Sequence, residues 1–457
     1  MRIPLMLTFF TLLSDHLVWY ITCLVVVVVC VYYLMRRHFF SVVDPLFTML
    51  MINETFCIAD VIFMFHFGMI DTRITVNFIL TESALFIGIL QFGAITRLTS
   101  SSLLPATGKP ALALRILYGP SLVLFVALHL LLYAERGIPV FQISRTQTYG
   151  EHGWGIVDRL FDVLWVIILY YLMDVLRRRR WKFVEWSSLL TVVVIEILSG
   201  GKSAVLELFF IAGLASYFIG TSKTYFSLRS NYMRIGVLVV IASAFAVGTL
   251  QRYGVSKDTQ ELSTLDMLVI RLVNNGDALI YSYPNGFIER LDGRNPVRAL
   301  LKDYLSTFRI VPPDELPEHI GAQIVDLQGG NGKNFMTDAN HNLFGYVYFG
   351  FCGSILYSYL VGASIGFVRY TLRRKLPQNW VGGVIFVMMS FSTIFGISQP
   401  DEVPRYVIGI LAIFIPLVFL ASMLATAIRS RSRASGGVSK GAGLDGVGSF
   451  SESGHVS

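Results

Sequence analysis

Long apolar runs joined by short polar breaks fill residues 18–250 and 341–428, and one polar stretch, 251–340, stands between them. A helix needs ~18 or more mostly apolar residues to cross a bilayer. On that rule the pattern predicts eleven spans, over 18–35, 45–69, 76–96, 111–133, 157–176, 183–199, 203–219, 234–250, 341–368, 379–398 and 405–428. The expected fold is therefore an all-α polytopic membrane protein of about 11 transmembrane helices. Its organisation is 1–250 as N-terminal spans, 251–340 as one large extramembrane loop, 341–430 as C-terminal spans and 431–457 as a tail.

The loop has structure of its own. Residues 264–274 place apolar side chains at helical spacing, as a helix lying on a membrane surface would, and Pro296–Phe308 reads as a second short helix. Pro312, Pro313 and Pro317 then break the chain, and 329–332 is a glycine-rich turn. The glycine- and serine-rich tail has few apolar residues and is expected to be disordered. No internal repeat is evident. The first apolar stretch, Ile3–Leu13, lacks both a basic flank beyond Arg2 and a small-residue cleavage site, so no cleavable signal peptide is expected.

Composition agrees: 54% hydrophobic, 15% charged and mean hydropathy +0.62 exclude an ordinary soluble domain. Basic residues set the orientation. One side of the alternation collects 21 of the 37 Lys and Arg, among them Arg177 to Arg180, Arg369, Arg373, Arg374 and Lys375. The short segments of the other side hold seven and the long loop nine. The 21 are expected to be cytoplasmic, which puts the loop outside. The net charge of +7 thus comes from cytoplasmic anchors and not from a nucleic-acid surface, since the loop carries twelve acidic residues against its nine basic ones. Cys23, Cys30, Cys57 and Cys352 all lie in apolar segments, with no disulfide or zinc spacing.

Several outer residues suit an anionic, half-polar substrate. Arg145 lies in a small outer loop, Arg252 just after the eighth predicted span, and Arg271 in the predicted surface helix. A guanidinium holds phosphate oxygens in a bidentate fork; ordinary solvation or ion pairing is the alternative role. Lys202, in the turn Ser199-Gly-Gly-Lys-Ser203, would point toward the same side or snorkel at the interface. Asp338 and His341 sit where the loop re-enters the membrane. Either could accept a proton from a sugar hydroxyl, while Asp338 or Asn340 could simply cap the next helix. Glu54, Asp60, Glu82, Glu196 and Glu207 fall inside predicted spans, where interhelical pairing is the simpler role, and no metal-binding cluster is apparent.

The order of these residues carries a resemblance. Arg145, Gly-Gly-Lys202-Ser, Arg271, Ile320-Gly-Ala-Gln-Ile324, Asn340-His-Asn342, Phe349-Gly-Phe-Cys-Gly353 and Gly362 together resemble the oligosaccharide repeat-unit polymerases (Wzy-type O-antigen polymerases) of bacterial inner membranes. One departure is Lys202, where related sequences often carry arginine. The resemblance implies a metal-independent, GT-C-like membrane-embedded glycosyltransferase with no cofactor and a periplasmic loop. It would join undecaprenyl-pyrophosphate-linked oligosaccharides, working in the lipid bilayer beside a chain-length-regulating membrane protein. Arg145 and Arg271 would then hold pyrophosphate, with Arg252 and Lys202 as further contacts, and His341 or Asp338 would receive or orient the acceptor hydroxyl. An O-antigen ligase and a lipid-linked sugar transporter are the competing expectations.

Overall fold

The computed structural model describes residues 5–93, 111–141, 155–178, 182–199, 204–220, 276–312, 315–328 and 337–437. It is 83% helical, with no strand among the described residues. Among the described residues, six helical stretches are by length and composition apolar enough to cross a membrane: Leu17–Met35, Pro45–His66, Thr72–Leu90, Leu112–Phe141, His341–Lys375 and Val403–Arg431. The chain is a multi-pass membrane protein. Helices also occupy the expected spans at Gly155–Arg177, Phe183–Leu198, Ala204–Ile219 and Trp380–Phe395, although these are shorter or more charged. The expected span 234–250 and the surface helix 264–274 lie outside the described residues, as do Arg145, Lys202, Arg252 and Arg271.

Local chemistry explains the elements. Leu17–Met35 is rich in valine, which disfavours helix in water. In hydrocarbon the unpaired-backbone penalty overrides that preference, because only a helix satisfies every amide within one segment. Pro45 opens the next helix, and Asp44 before it accepts from Leu46 N at 3.0 Å. Gly137, at φ 84°, ends Leu112–Arg136 and donates its N–H to Tyr133 O.

The spans form two groups. One packs Leu112–Arg136, Gly155–Arg177, Phe183–Leu198, Ala204–Ile219 and Trp380–Phe395 around a core that includes Phe125, Ile167, Tyr170, Leu214 and Phe386. The other packs Leu17–Met35, Pro45–His66 and Thr72–Leu90 with the chain after His341. The loop is no separate lobe. Asp277–Ser282 and Ile320–Leu327 contribute Leu279, Ile280, Ile320 and Ile324 to the same core as Phe63, Phe78 and Phe344. Below, the end of the bundle that carries these loop helices is the loop face.

Three expectations are corrected. The predicted helix Pro296–Phe308 is two, Pro296–Leu300 and Lys302–Thr307, broken at Leu301. The last helix continues to Gly437, seven residues past the boundary set at 430, and ends at the Gly436-Gly437 pair. Largest is the third: residues 341–368 do not form one span. Gly350 has φ 69° and ψ −169°, a region that only glycine enters readily, and the chain reverses there.

His341 Nδ1 lies 2.9 Å from Ser358 Oγ, whereas seventeen residues along a straight helix would put them about 25 Å apart. Phe344 and Phe349 both stack on Tyr357, with ring centroids 5.4 and 5.5 Å apart. Residues 341–349 are therefore a re-entrant half-helix, and only the part after Gly350 crosses. That crossing part runs parallel to Thr72–Leu90. Asn77 Nδ2 donates to Phe351 O and Ser354 Oγ, both at 2.9 Å, a methyl on Gly362 would collide with Leu85 O, and Gly366 abuts Ile89 and Phe92. Small residues allow this close approach, as membrane helix pairs need.

Candidate functional site at the loop face and beneath it

The half-helix sets the geometry. Its first residue, His341, meets Glu82, ten residues into Thr72–Leu90, which is about 15 Å from that helix's start. His341 therefore begins near mid-membrane depth, and the half-helix climbs back toward the loop face. Its N–H donates to Ile397 O at 2.7 Å, where Trp380–Phe395 has just ended. Two broken helical ends meet there, inside protein, the one setting in which irregular backbone is tolerated at that depth.

Around His341 lies a sealed polar cluster. Glu54 and His341 are 0% exposed and Glu82 5%. His341 Nε2 is 3.4 Å from Glu82 Oε1 and 3.8 Å from Glu54 Oε2. Asn342 Nδ2 donates to Glu82 Oε1 and Asn53 Nδ2 to Glu54 Oε1, each at 3.1 Å. Toward the loop face, Asn340 Nδ2 donates to Cys57 Sγ at 3.1 Å, and Tyr20 OH to Asp60 Oδ1 at 2.7 Å. Glu54, Cys57 and Asp60 recur every third residue, so one face of Pro45–His66 carries polar groups from mid-depth upward.

His341 is thus not at the wet boundary that the sequence suggested. Asn340 precedes the half-helix but makes no side-chain cap, and Asp338 Oδ1 accepts from Gln399 Nε2 at 2.6 Å. Interhelical clustering of Glu54 and Glu82 is observed, and Asp60 bonds across helices to Tyr20. The expectation of no metal-binding cluster fails in three dimensions: a ligand atom from each of Glu54, Glu82 and His341 lies within 4.8 Å of the others. These residues are far apart in the chain, so no spacing motif could have revealed them.

At the loop face the structure brings together residues that sequence reading missed. His319, just before Ile320–Leu327, is bonded through Nδ1 to Asp401 Oδ2, with side-chain exposures of 35% and 15%. Asp401 follows Gln399 by two residues, and Gln399 holds Asp338, so Asp338 and this His–Asp dyad lie near one another at the loop face, a place called the mouth below. Burial pushes the Asp401 carboxyl up, but the hydrogen bond and charge of His319 outweigh it and hold the group below the usual carboxylate range. A depressed carboxylate contributes its stability above the unfolded value of about 3.9 and loses it as pH falls through the folded value.

Beside the dyad, Lys302 is lowered by burial despite the facing charges of Asp401, Asp303 and Glu318. Arg159 pairs with Asp303 at 2.9 Å, and Arg405 with Asp162 at 2.6 Å, tying the loop helices and the last span to Gly155–Arg177. The only sequence signal for His319 was its place before the Ile320-Gly-Ala-Gln motif, and Asp401 falls between the expected spans 379–398 and 405–428.

Chemically, the mouth offers an imidazole whose tautomer is fixed by a carboxylate, leaving Nε2 to exchange a proton. The sealed cluster below offers converging oxygen and nitrogen donors. No family model, curated protein or solved structure matches the chain.

Proposed function

We propose that this protein polymerises lipid-pyrophosphate-linked oligosaccharide repeat units as a GT-C-like glycosyltransferase of the bacterial inner membrane, with its loop face periplasmic. The observation that carries the reading is the His319–Asp401 dyad at a mouth built jointly by loop helices and span ends. A lipid-borne sugar could keep its tail in hydrocarbon there while its hydroxyls stay wet. In this scheme an acceptor hydroxyl oxygen attacks the donor's anomeric carbon. The bond from that carbon to pyrophosphate breaks, its electron pair leaves with undecaprenyl pyrophosphate, and the hydroxyl proton passes to His319 Nε2. Asp401 holds the imidazole in place. Asp338 orients the acceptor, and His341, buried behind it, acts through the half-helix. Arg145 and Arg271 hold the pyrophosphates, supported by Arg252 and Lys202.

Gene deletion followed by gel analysis of lipopolysaccharide tests the reading. Core capped with a single repeat unit supports a polymerase, uncapped core supports a ligase, and loss of even the single unit supports a transporter. On purified protein, His319→Ala should lower turnover per folded molecule by ~10²–10⁴-fold, and wild-type turnover would remove His319 from the chemistry.

One observation favours the transporter as a second reading. A broken helix whose N-terminus meets carboxylates at mid-depth is an arrangement that ion-coupled carriers use. Purified protein in vesicles separates the two, since a carrier moves lipid-linked sugar across the bilayer without lengthening it.

A further inference from the structure

We propose that Glu54, Glu82 and His341 form a binding site for a divalent transition-metal ion of the zinc class, which pins the re-entrant half-helix to its two neighbouring spans. The site is structural and separate from the reacting centre at the loop-face mouth, and it does not depend on which reaction the protein performs.

The first reason is how the donors are held. Each residue has one polar atom fixed by a neighbour and one left over. Glu54 Oε1 accepts from Asn53, Glu82 Oε1 accepts from Asn342, and His341 Nδ1 faces Ser358 Oγ. The remaining atoms, Glu54 Oε2, Glu82 Oε2 and His341 Nε2, are all buried with no hydrogen-bond partner. Metal ligands are oriented in this way, with an outer partner on the far atom fixing tautomer and rotamer. A buried polar atom left unpaired costs ~1–3 kcal/mol, and three converging ones point to an occupant.

The second reason is charge. His341 Nε2 faces a carboxylate oxygen of both Glu82 and Glu54, and a cation between the three would satisfy all of them at once. Ionised, the two carboxylates bring two negative charges into a buried site. One proton removes only one of them, whereas a divalent ion removes both. Mixed imidazole and carboxylate donors suit zinc-class ions.

The third reason is distance. Zinc bonds of about 2.0–2.2 Å require donors about 3.3 Å apart. His341 Nε2 is 3.4 Å from Glu82 Oε1, the oxygen that Asn342 also holds, and 3.8 Å from Glu54 Oε2, and one ligand atom from each of the three residues lies within 4.8 Å of the others. Three protein ligands would leave the fourth tetrahedral position open to an outside donor.

The test is metal content of the full chain purified in detergent after growth with added zinc. About one zinc per chain is expected for wild type, with background levels for Glu54→Gln/Glu82→Gln and for His341→Gln. Chelation should lower the thermal midpoint of wild type and leave the double variant unmoved. If the variants fail to fold, cobalt-substituted wild type decides. Visible ligand-field bands without a sulfur charge-transfer band would match nitrogen and oxygen ligation. Wild-type protein that is folded yet metal-free after zinc challenge would overturn the proposal and leave protons as the occupants. Zinc retained by both variants, or a sulfur band, would overturn it equally.

Discussion

Two buried charge clusters of this protein share the same helices and differ in how they are satisfied. Near the end opposite the loop face, Arg369 meets Asp44 through two bonds, Nη1 to Oδ1 at 2.9 Å and Nη2 to Oδ2 at 2.5 Å. Asp44 also accepts from Leu46 N and Phe40 N, and Arg369 Nη2 reaches His38 O at 3.1 Å. Both carboxylate oxygens are therefore doubly engaged. At mid-depth, Glu54, Glu82 and His341 are as deeply buried, yet each leaves one atom unpaired. A closed network of this kind fixes structure, while an open one at equal burial keeps a place for something else. The difference separates a structural charge pair from a ligand site without reference to conservation.

The comparison breaks most readily at the closed pair. Arg369→Ala would leave Asp44 charged, buried and without its guanidinium, an arrangement that typically costs ~3–5 kcal/mol. Asp44 also begins the Pro45–His66 helix, so the loss should spread into that span. Unfolding of the purified protein in detergent is the measurement. Arg369→Ala should fall well below wild type, and the double change Arg369→Met with Asp44→Leu should recover much of the loss, because it removes both charges together. A single variant of wild-type stability would mean that the pair is exposed to water in the bilayer and does not anchor the helices.

How much of this was legible in the sequence depended on distance along the chain. Helix positions followed from local apolar length, which the bilayer enforces, so nine of the expected spans have a helix in place among the described residues, and 341–368 holds two. Reversal at Gly350 was hidden because apolar length is blind to direction. A run long enough to cross once is also long enough to turn back, and only the backbone angle of one glycine separates the two. The Phe349-Gly-Phe-Cys-Gly353 motif marked the spot without revealing its role. The candidate sites were harder still. His319 and Asp401 lie 82 residues apart, and Glu54 and Glu82 meet His341 only because the half-helix carries it down. Among the expected site residues, Asp338 and His341 can be placed, one at the mouth and one sealed beneath it.

Gly350 gives the next largest effect and tests the hairpin itself. A methyl there would meet nothing within 4 Å, so Gly350→Ala carries only the backbone strain of φ 69°, roughly 1–3 kcal/mol. Gly119 is the control. It also has open space around it but has no positive φ, and it lies inside the helix Leu112–Arg136 directly before Pro120, where alanine meets only the restriction that a following proline places on a helical residue. Thermal unfolding of the two variants side by side should lower the midpoint of Gly350→Ala more than that of Gly119→Ala. Equal effects would show that residues 341–366 cross as one helix, and would dissolve the mid-depth cluster with it.

The smallest effect is expected at the open cluster, and its sign carries the information. In chelated, metal-free protein, Glu82→Gln removes one of two facing carboxylates that have no cation between them. The amide keeps the shape of the side chain, and its oxygen can still accept from Asn342 Nδ2. Its new N–H₂ can donate toward Glu54 Oε2 or His341 Nε2, both of which lack partners. Replacing an unsatisfied, like-charged arrangement by a neutral hydrogen-bonded one should leave stability within about 1 kcal/mol of wild type or slightly above it. With zinc present the order should reverse, since wild type gains binding energy that the variant has lost. A Glu82→Gln loss as large as that of Arg369→Ala, with or without metal, would mean that Glu82 is already fully paired in the native state. The contrast between a closed and an open cluster would then not hold.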